Sequence, residues 1–257
     1  MEFQGKTLVL SGGTRGIGKS IIYKFASKGC NIAFTYNSNE EEAKNIEFDL
    51  VNQFGVKVRY YKLDILEPES YKALFEAIDK DFHEVNYFIS NAIISGRPVV
   101  GGFAPFMRLK PKGLNNIYTA TVLAFVVGAQ EAAKRMEKIG GGAIVAISST
   151  GNLVHTENYA GHGTSKAALE IMVKYAANEL ACKNIRVNTL SGGPIETDAL
   201  RKFPNFEEMK AETIKRTPLG RMGQADDLAG TALFLCSQDS YWITGQTLIA
   251  DGGSSFT

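Results

Sequence analysis

The stretch Ser11-Gly12-Gly13-Thr14-Arg15-Gly16-Ile17-Gly18 follows an apolar run, Thr7–Leu10, and opens an amphipathic segment, Gly18–Lys28. Its glycines are spaced G-x-x-x-G-x-G. Residues without a β-carbon let the backbone turn sharply and come close to a pyrophosphate, and the amino terminus of a following helix favours that negative charge. A glycine-rich turn alone is weak evidence, because tight turns need glycine in any fold. Set between the first strand and the first helix, it predicts a dinucleotide site built from Gly12, Thr14, Arg15, Gly16, Ile17 and Gly18.

Outward from this turn, strand-like runs alternate with amphipathic segments. The strand candidates are Thr7–Leu10, Asn31–Tyr36, Val56–Leu63, Tyr87–Ser90, Ala143–Ser148, Ile185–Leu190 and Thr247–Ala250. The helical candidates are Gly18–Lys28, Glu40–Phe54, Pro68–Phe82, Thr119–Lys138, Tyr159–Cys182 and Ala225–Cys236. Such alternation predicts βαβ units: a single α/β domain over residues 1–257, Rossmann-type and doubly wound. Its parallel sheet would have about seven strands, with helices on both faces. Two segments break the rhythm. Gly96–Asn116, with its prolines and glycines, reads as a long loop or broken helix. Ser191–Met222 carries Pro194, Pro204 and Pro218 after a strand, where a substrate lid belongs in such a sheet.

Charge is balanced, with 28 Lys plus Arg against 27 Asp plus Glu, so nothing draws the chain to nucleic acid or to a membrane surface. Cys30, Cys182 and Cys236 lie far apart and read as reduced core residues, with neither a disulfide framework nor a metal site expected. No signal-peptide pattern and no run of the ~18 apolar residues that span a bilayer is present, which predicts a cytoplasmic protein.

The end of the second predicted strand distinguishes the two nicotinamide dinucleotides. An acidic residue there suits a free ribose 2′-hydroxyl. This chain has Tyr36 and Asn37, with no acid until Glu40, and Arg15 in the glycine turn could hold a 2′-phosphate. NADP(H) is therefore expected over NAD(H).

The chemistry is expected at Tyr159 and Lys166, seven residues apart. If both lie on one helix, seven residues turn through about 700° and rise roughly 10 Å, so the two side chains share a face. His162, at the position four before the lysine, is the rival acid, since imidazole titrates near neutrality. Ser149 ends a buried strand and is a candidate to bond the nicotinamide or a substrate carbonyl.

These residues reach a known family. The chain resembles the short-chain dehydrogenase/reductases over essentially its whole length. Besides the glycine turn, Leu63-Asp64-Ile65, Ser90-Asn91-Ala92, Ile147-Ser148-Ser149, Pro194-Ile195-Glu196-Thr197 and Asp251-Gly252-Gly253 carry the likeness. The resemblance implies that Asp64, with Ile65, contacts the adenine and that Asn91, with Ala92, meets the adenine ribose region. Ile195 and Thr197, beside Pro194, would hold the nicotinamide carboxamide.

Within the family, Glu157-Asn158-Tyr159, Gly163-Thr164-Ser165-Lys166-Ala167-Ala168-Leu169-Glu170 and Ser191-Gly192-Gly193 look like the type III enoyl-acyl-carrier-protein reductases. Thr197-Asp198-Ala199-Leu200 and Phe203-Pro204-Asn205 support this. The likeness implies NADPH-dependent reduction of an enoyl thioester on acyl carrier protein. Tyr159 would face the thioester oxygen, and Lys166 the nicotinamide ribose. It also implies a homotetramer or homodimer paired through the long helices.

Against the ketone-reducing members, Ser149 is kept, His162 replaces a tyrosine, and Thr119 stands where an asparagine is usual. His155 departs from the type III pattern, where an aromatic residue is expected. Arg108, Lys110, Lys112, Arg201 and Lys202 are candidates to receive an acidic carrier, and Phe103, Phe106, Phe203 and Phe206 to wall an acyl channel. Two alternatives stay open: a carbonyl reductase such as a 3-oxoacyl-acyl-carrier-protein reductase, and a non-catalytic NADP-binding regulator.

Overall fold

The strands of this protein are apolar on both faces, which suits a sheet covered on both sides. In the computed structural model, residues 2–94, 99–201 and 206–255 are described, with Asp198 and Ala199 described as backbone alone. Thr7–Ser11 (β1) is buried throughout, and Asn31–Tyr36 (β2), Tyr87–Ser90 (β4), Gly142–Ser149 (β5) and Ile185–Gly192 (β6) nearly so. Val58–Lys62 (β3) and Thr247–Ala250 (β7) are less covered because they form the two edges. The seven strands lie in the order β3-β2-β1-β4-β5-β6-β7, all parallel. The order reverses between β1 and β4, and a crevice opens there at the carboxyl ends of the strands.

Each face has its own apolar core. Gly16–Ala26 (α1) and Glu40–Phe54 (α2) cover one side together with a late helix, Ala225–Cys236 (α9). Ser70–Asp81 (α3), Pro111–Tyr118 (α4), Ala124–Lys138 (α5) and Ala160–Leu180 (α6) cover the other. Asp198–Arg201 (α7) and Phe206–Arg216 (α8) lie in the excursion after β6, as the prolines there predict. Local chemistry sets several ends. Asn39 accepts a hydrogen bond from Glu42 N to start α2, and Gly55 closes it at φ 66°.

Some expectations need correcting. The helix expected from Thr119 begins earlier, because Pro111 occupies a first-turn position where its missing N–H costs nothing. Thr119–Leu123 is a π turn that joins α4 to α5. Tyr159 is not inside α6 but caps it, with φ −93° and ψ 4°. Cys30 and Cys236 are buried as expected, whereas Cys182 is exposed. Lys202, Phe203, Pro204 and Asn205 lie outside the described residues, as do residues 96–98 at the start of the expected loop. Among the described residues, no helix is long and apolar enough to cross a membrane.

The approach of α5 to β4 depends on Gly128. A β-carbon there would lie 2.7 Å from Phe88 Cζ and 2.9 Å from Tyr71 Cε1, rings that are themselves buried. Gly128→Ala is expected to destabilise the fold by about 1–3 kcal/mol through overpacking, read as a lower urea midpoint with an unchanged m-value.

Candidate active site

The glycine turn is fastened to both neighbouring strands. Thr35 on β2 accepts Gly13 N at its carbonyl (2.9 Å) and Gly12 N at Oγ1 (3.0 Å). At the end of β4, Asn91 Nδ2 donates to the carbonyls of Ser11 (3.1 Å) and Gly12 (2.9 Å). Ser11 Oγ in return accepts Asn91 N at 3.0 Å and Ala92 N at 3.1 Å. Gly12 and Gly16 take φ of 78° and 53°, where a side chain is strained. A β-carbon on Gly18 would collide with Gly12 O, and one on Gly13 would lie 2.6 Å from the Phe34 ring. The turn is thus a cradle without side chains, ending at α1, whose N-cap Arg15 makes no side-chain cap bond.

Thr197 overhangs this cradle: a β-carbon on Gly16 would sit 3.7 Å from its Cγ2. Its segment is held by Glu196 N donating to Gly223 O (2.8 Å) and Gly223 N to Pro194 O (3.2 Å), with Ile195 buried. These features fit a dinucleotide, with phosphates at the helix amino terminus. Thr14 and Ile17 line the same turn, half-buried.

The resemblance puts Asn91, with Ala92, at the adenine ribose region. The amide and backbone N–H of Asn91, and the backbone N–H of Ala92, brace the turn beside that place. Asp64 Oδ1 accepts Leu66 N at 2.9 Å, which fixes its carboxylate beside buried Ile65. At the end of β2, Tyr36 is buried and its phenol bonds Glu40, while Asn37 is exposed. Lys19 pairs with Glu42 at 2.9 Å, and Arg15 is exposed, so this rim carries both signs. Asn91→Ala removes two hydrogen bonds from buried carbonyls. It is expected to weaken NADPH binding about tenfold or more, by fluorescence titration, with a lower melting temperature.

Across the crevice, Asn158 at φ 61° turns the chain into α6 and leaves Tyr159 at the cap. Three neighbours fix the Tyr159 ring. His162 stacks on it at 5.2 Å and 24°, and Phe103 meets it edge-on at 6.4 Å. Gly151 lies against its flank, where a β-carbon would be 2.6 Å from the ring. The phenol lies beside Ser149; burial raises its pKa and the serine draws it back. The geometry therefore comes from the cap and its loop, not from one helical face shared with Lys166.

Lys166 is buried, and its Nζ donates to Ile147 O at 2.6 Å. Burial pushes its pKa down to about 8, against a raising influence from Glu170. Glu170 accepts Ser148 Oγ at 2.6 Å, a link the sequence reading missed although Glu170 lies one turn beyond Lys166. His162, the rival acid by position, is 8% exposed. Burial first, and then the Lys166 charge, lower its pKa to about 4, so it is neutral at physiological pH. His155 is exposed, as its loop position suggested. On the π turn Thr119 is half-buried and Thr121 buried. No cluster of metal-ligating side chains occurs among the described residues.

The profile of a family described as enoyl-(acyl carrier protein) reductase matches residues 12–255. The chain belongs to the short-chain dehydrogenase/reductases. It is 34% identical to a 1-cyclohexenylcarbonyl-CoA reductase of Streptomyces collinus, covering 96% of this chain and 86% of that one. It is 31% identical to a 3-oxoacyl-acyl-carrier-protein reductase of Aquifex aeolicus, covering 98% of each. Among solved structures, a 7α-hydroxysteroid dehydrogenase in complex with NADH and 7-oxo glycochenodeoxycholic acid superposes with a TM-score of 0.89 at 32% identity, covering 98% and 95%. Membership of the short-chain dehydrogenase/reductases makes this protein an oxidoreductase of a nicotinamide-using family. Its relatives are named for different reducible bonds, so the family alone does not select one.

If the Lys166 charge helps to hold the cofactor, NADP⁺ affinity should fall as pH rises through about 8, where the buried ammonium loses its proton. Glu170→Gln removes the group that raises this pKa, so the midpoint should move to lower pH in a fluorescence titration from about pH 6 to pH 10.

Proposed function

We propose that this protein uses NADPH to reduce the trans-2 double bond of an enoyl thioester, carried on an acyl carrier protein, in fatty-acid biosynthesis in the cytoplasm. One observation carries the reading. The phenol beside Ser149 belongs to Tyr159 at the cap, while the position one turn before Lys166 holds a neutral imidazole. The description of the matching family and the 1-cyclohexenylcarbonyl-CoA reductase relative agree with reduction of a double bond conjugated to a thioester.

NADPH, when bound, would supply a hydride to the β-carbon of the substrate. Negative charge would then develop on the thioester oxygen, where the Tyr159 phenol would donate a hydrogen bond, and a proton from solvent added at the α-carbon would restore the thioester carbonyl. Such a preorganised donor contributes about 2.7–4 kcal/mol where it has been removed from an active site. The burial that raises its pKa keeps the proton on Tyr159 until charge appears. Lys166, its Nζ held on the Ile147 carbonyl, is the candidate partner of the nicotinamide ribose. Gly12, Thr14, Arg15, Gly16, Ile17 and Gly18 would hold the phosphates, Asp64 and Ile65 the adenine, and Pro194, Ile195 and Thr197 the nicotinamide. Arg15 favours the 2′-phosphate of NADP(H), and the NADP-dependent L-rhamnose 1-dehydrogenase relative, 33% identical, is in keeping with that choice. The segment over residues 191–222 is the proposed lid, and a homotetramer or homodimer the proposed assembly.

A second reading, ketone reduction, is favoured by the proximity of Ser149 to the Tyr159 phenol, which sets a serine beside a phenol as a carbonyl oxygen would need. The test offers crotonyl and acetoacetyl thioesters separately with NADPH. Consumption with the crotonyl substrate, lost by about a hundredfold or more in Tyr159→Phe, is expected. Consumption with acetoacetyl thioester alone would replace the proposal by the second reading.

A further inference from the structure

We propose that His162 is the positioning residue for Tyr159: a neutral aromatic backstop that sets the direction of the phenol and exchanges no proton in the reaction. The inference rests on Tyr159 being the donor, and adds what aims it. A cap residue lies outside the helical repeat, so the helix itself does not fix its side chain. Tyr159 is instead enclosed by the flank of Gly151, the near-parallel face of His162 and the edge of Phe103. Phe103 also meets His162 edge-on at 6.2 Å, so the three rings touch pairwise. Offset-stacked and edge-to-face pairs of this kind are the favoured arrangements of aromatic rings.

The backbone holds this trio together. A β-carbon on Gly161 would collide with Gly102 O, so the segment bearing Phe103 rests directly on the first turn of α6. That segment is closed by Lys110 N donating to Gly101 O at 2.7 Å and Gly102 N to Val99 O at 2.8 Å. Nothing around His162 equips it as an acid. Lys166 on the same helix opposes its protonation, the rings against it are those of Tyr159 and Phe103, and the Glu170 carboxylate, about two turns further along the helix, is engaged with Ser148. A general acid in this place would need a carboxylate partner or a solvated ring.

The test compares His162→Phe, which keeps a ring and has no titratable nitrogen, with His162→Ala, which removes the ring. Each is prepared with 3-fluorotyrosine, and the Tyr159 fluorine resonance is assigned by its absence in Tyr159→Phe. In His162→Ala the resonance is expected to move towards that of an exposed tyrosine, with kcat lowered about tenfold or more and KM for NADPH unchanged. In His162→Phe it should stay close to that of the wild type, with at least about a third of kcat and the same acid limb down to about pH 5. Equal loss in the two variants would overturn the proposal, because the imidazole nitrogens would then be required. An unmoved resonance and unchanged kcat in His162→Ala would overturn it too. If His162→Ala does not fold, His162→Leu keeps bulk but removes the flat ring face, and an unmoved Tyr159 resonance with unchanged kcat there counts against the proposal. The fluorine signal needs no substrate, so a wild type inactive on every thioester would refute the enoyl assignment while the positioning role is still decided.

Discussion

The hydrogen bonds between Asn91 and the Ser11–Gly12 carbonyls hold together the place where the sheet divides. β1 and β4 are neighbours in space but far apart in sequence, and the crevice between their carboxyl ends is the site. A crevice floor made of bare backbone carries unpaired carbonyls, which are costly when buried. Asn91 pairs two of them with one amide, and Ser11 Oγ answers with bonds to the start of the next loop. The glycines are then free to stay without side chains, because the turn is held by its backbone and by Asn91.

The opposite wall is built differently. There polar groups are lodged in a dry setting: Lys166 on the Ile147 carbonyl, Ser148 on Glu170, and the Tyr159 phenol beside Ser149. Burial moves each titrating group towards its neutral form, so the pKa of Lys166 falls and that of Tyr159 rises. Their ordinary values of 10.5 and 10.0 nearly coincide, and the two displacements drive them apart. The lysine becomes the readier of the two to give up its proton, and the phenol the firmer holder of its own.

The strands and several helices were legible because their signals are local. Asn31–Tyr36, Tyr87–Ser90 and Thr247–Ala250 are apolar runs bounded by turn residues, and Glu40–Phe54 has its cap and its glycine. The glycine turn and Lys166 were legible for the same reason. What escaped depends on distant chain. Pro111 read as a breaker although it starts a helix, and nothing local marks Thr119–Leu123 as a π turn. The task of Asn91 requires knowing that β4 lies beside β1. The burial of His162 requires the Phe103 segment to fold over α6, and the cap position of Tyr159 turns on the positive φ of Asn158. Spacing in the sequence nominated side chains for the candidate site. Their direction was set by backbone that spacing does not encode.

The first turn of α6 meets its surroundings backbone to backbone, with Gly161 against Gly102 and Gly163 within 2.6 Å, at its absent β-carbon, of the Gly151 carbonyl. Contacts between main chains have no rotamers to change, so this side of the site has almost no compliance. Whatever approaches Tyr159 past this wall would meet a surface that does not reshape to fit it.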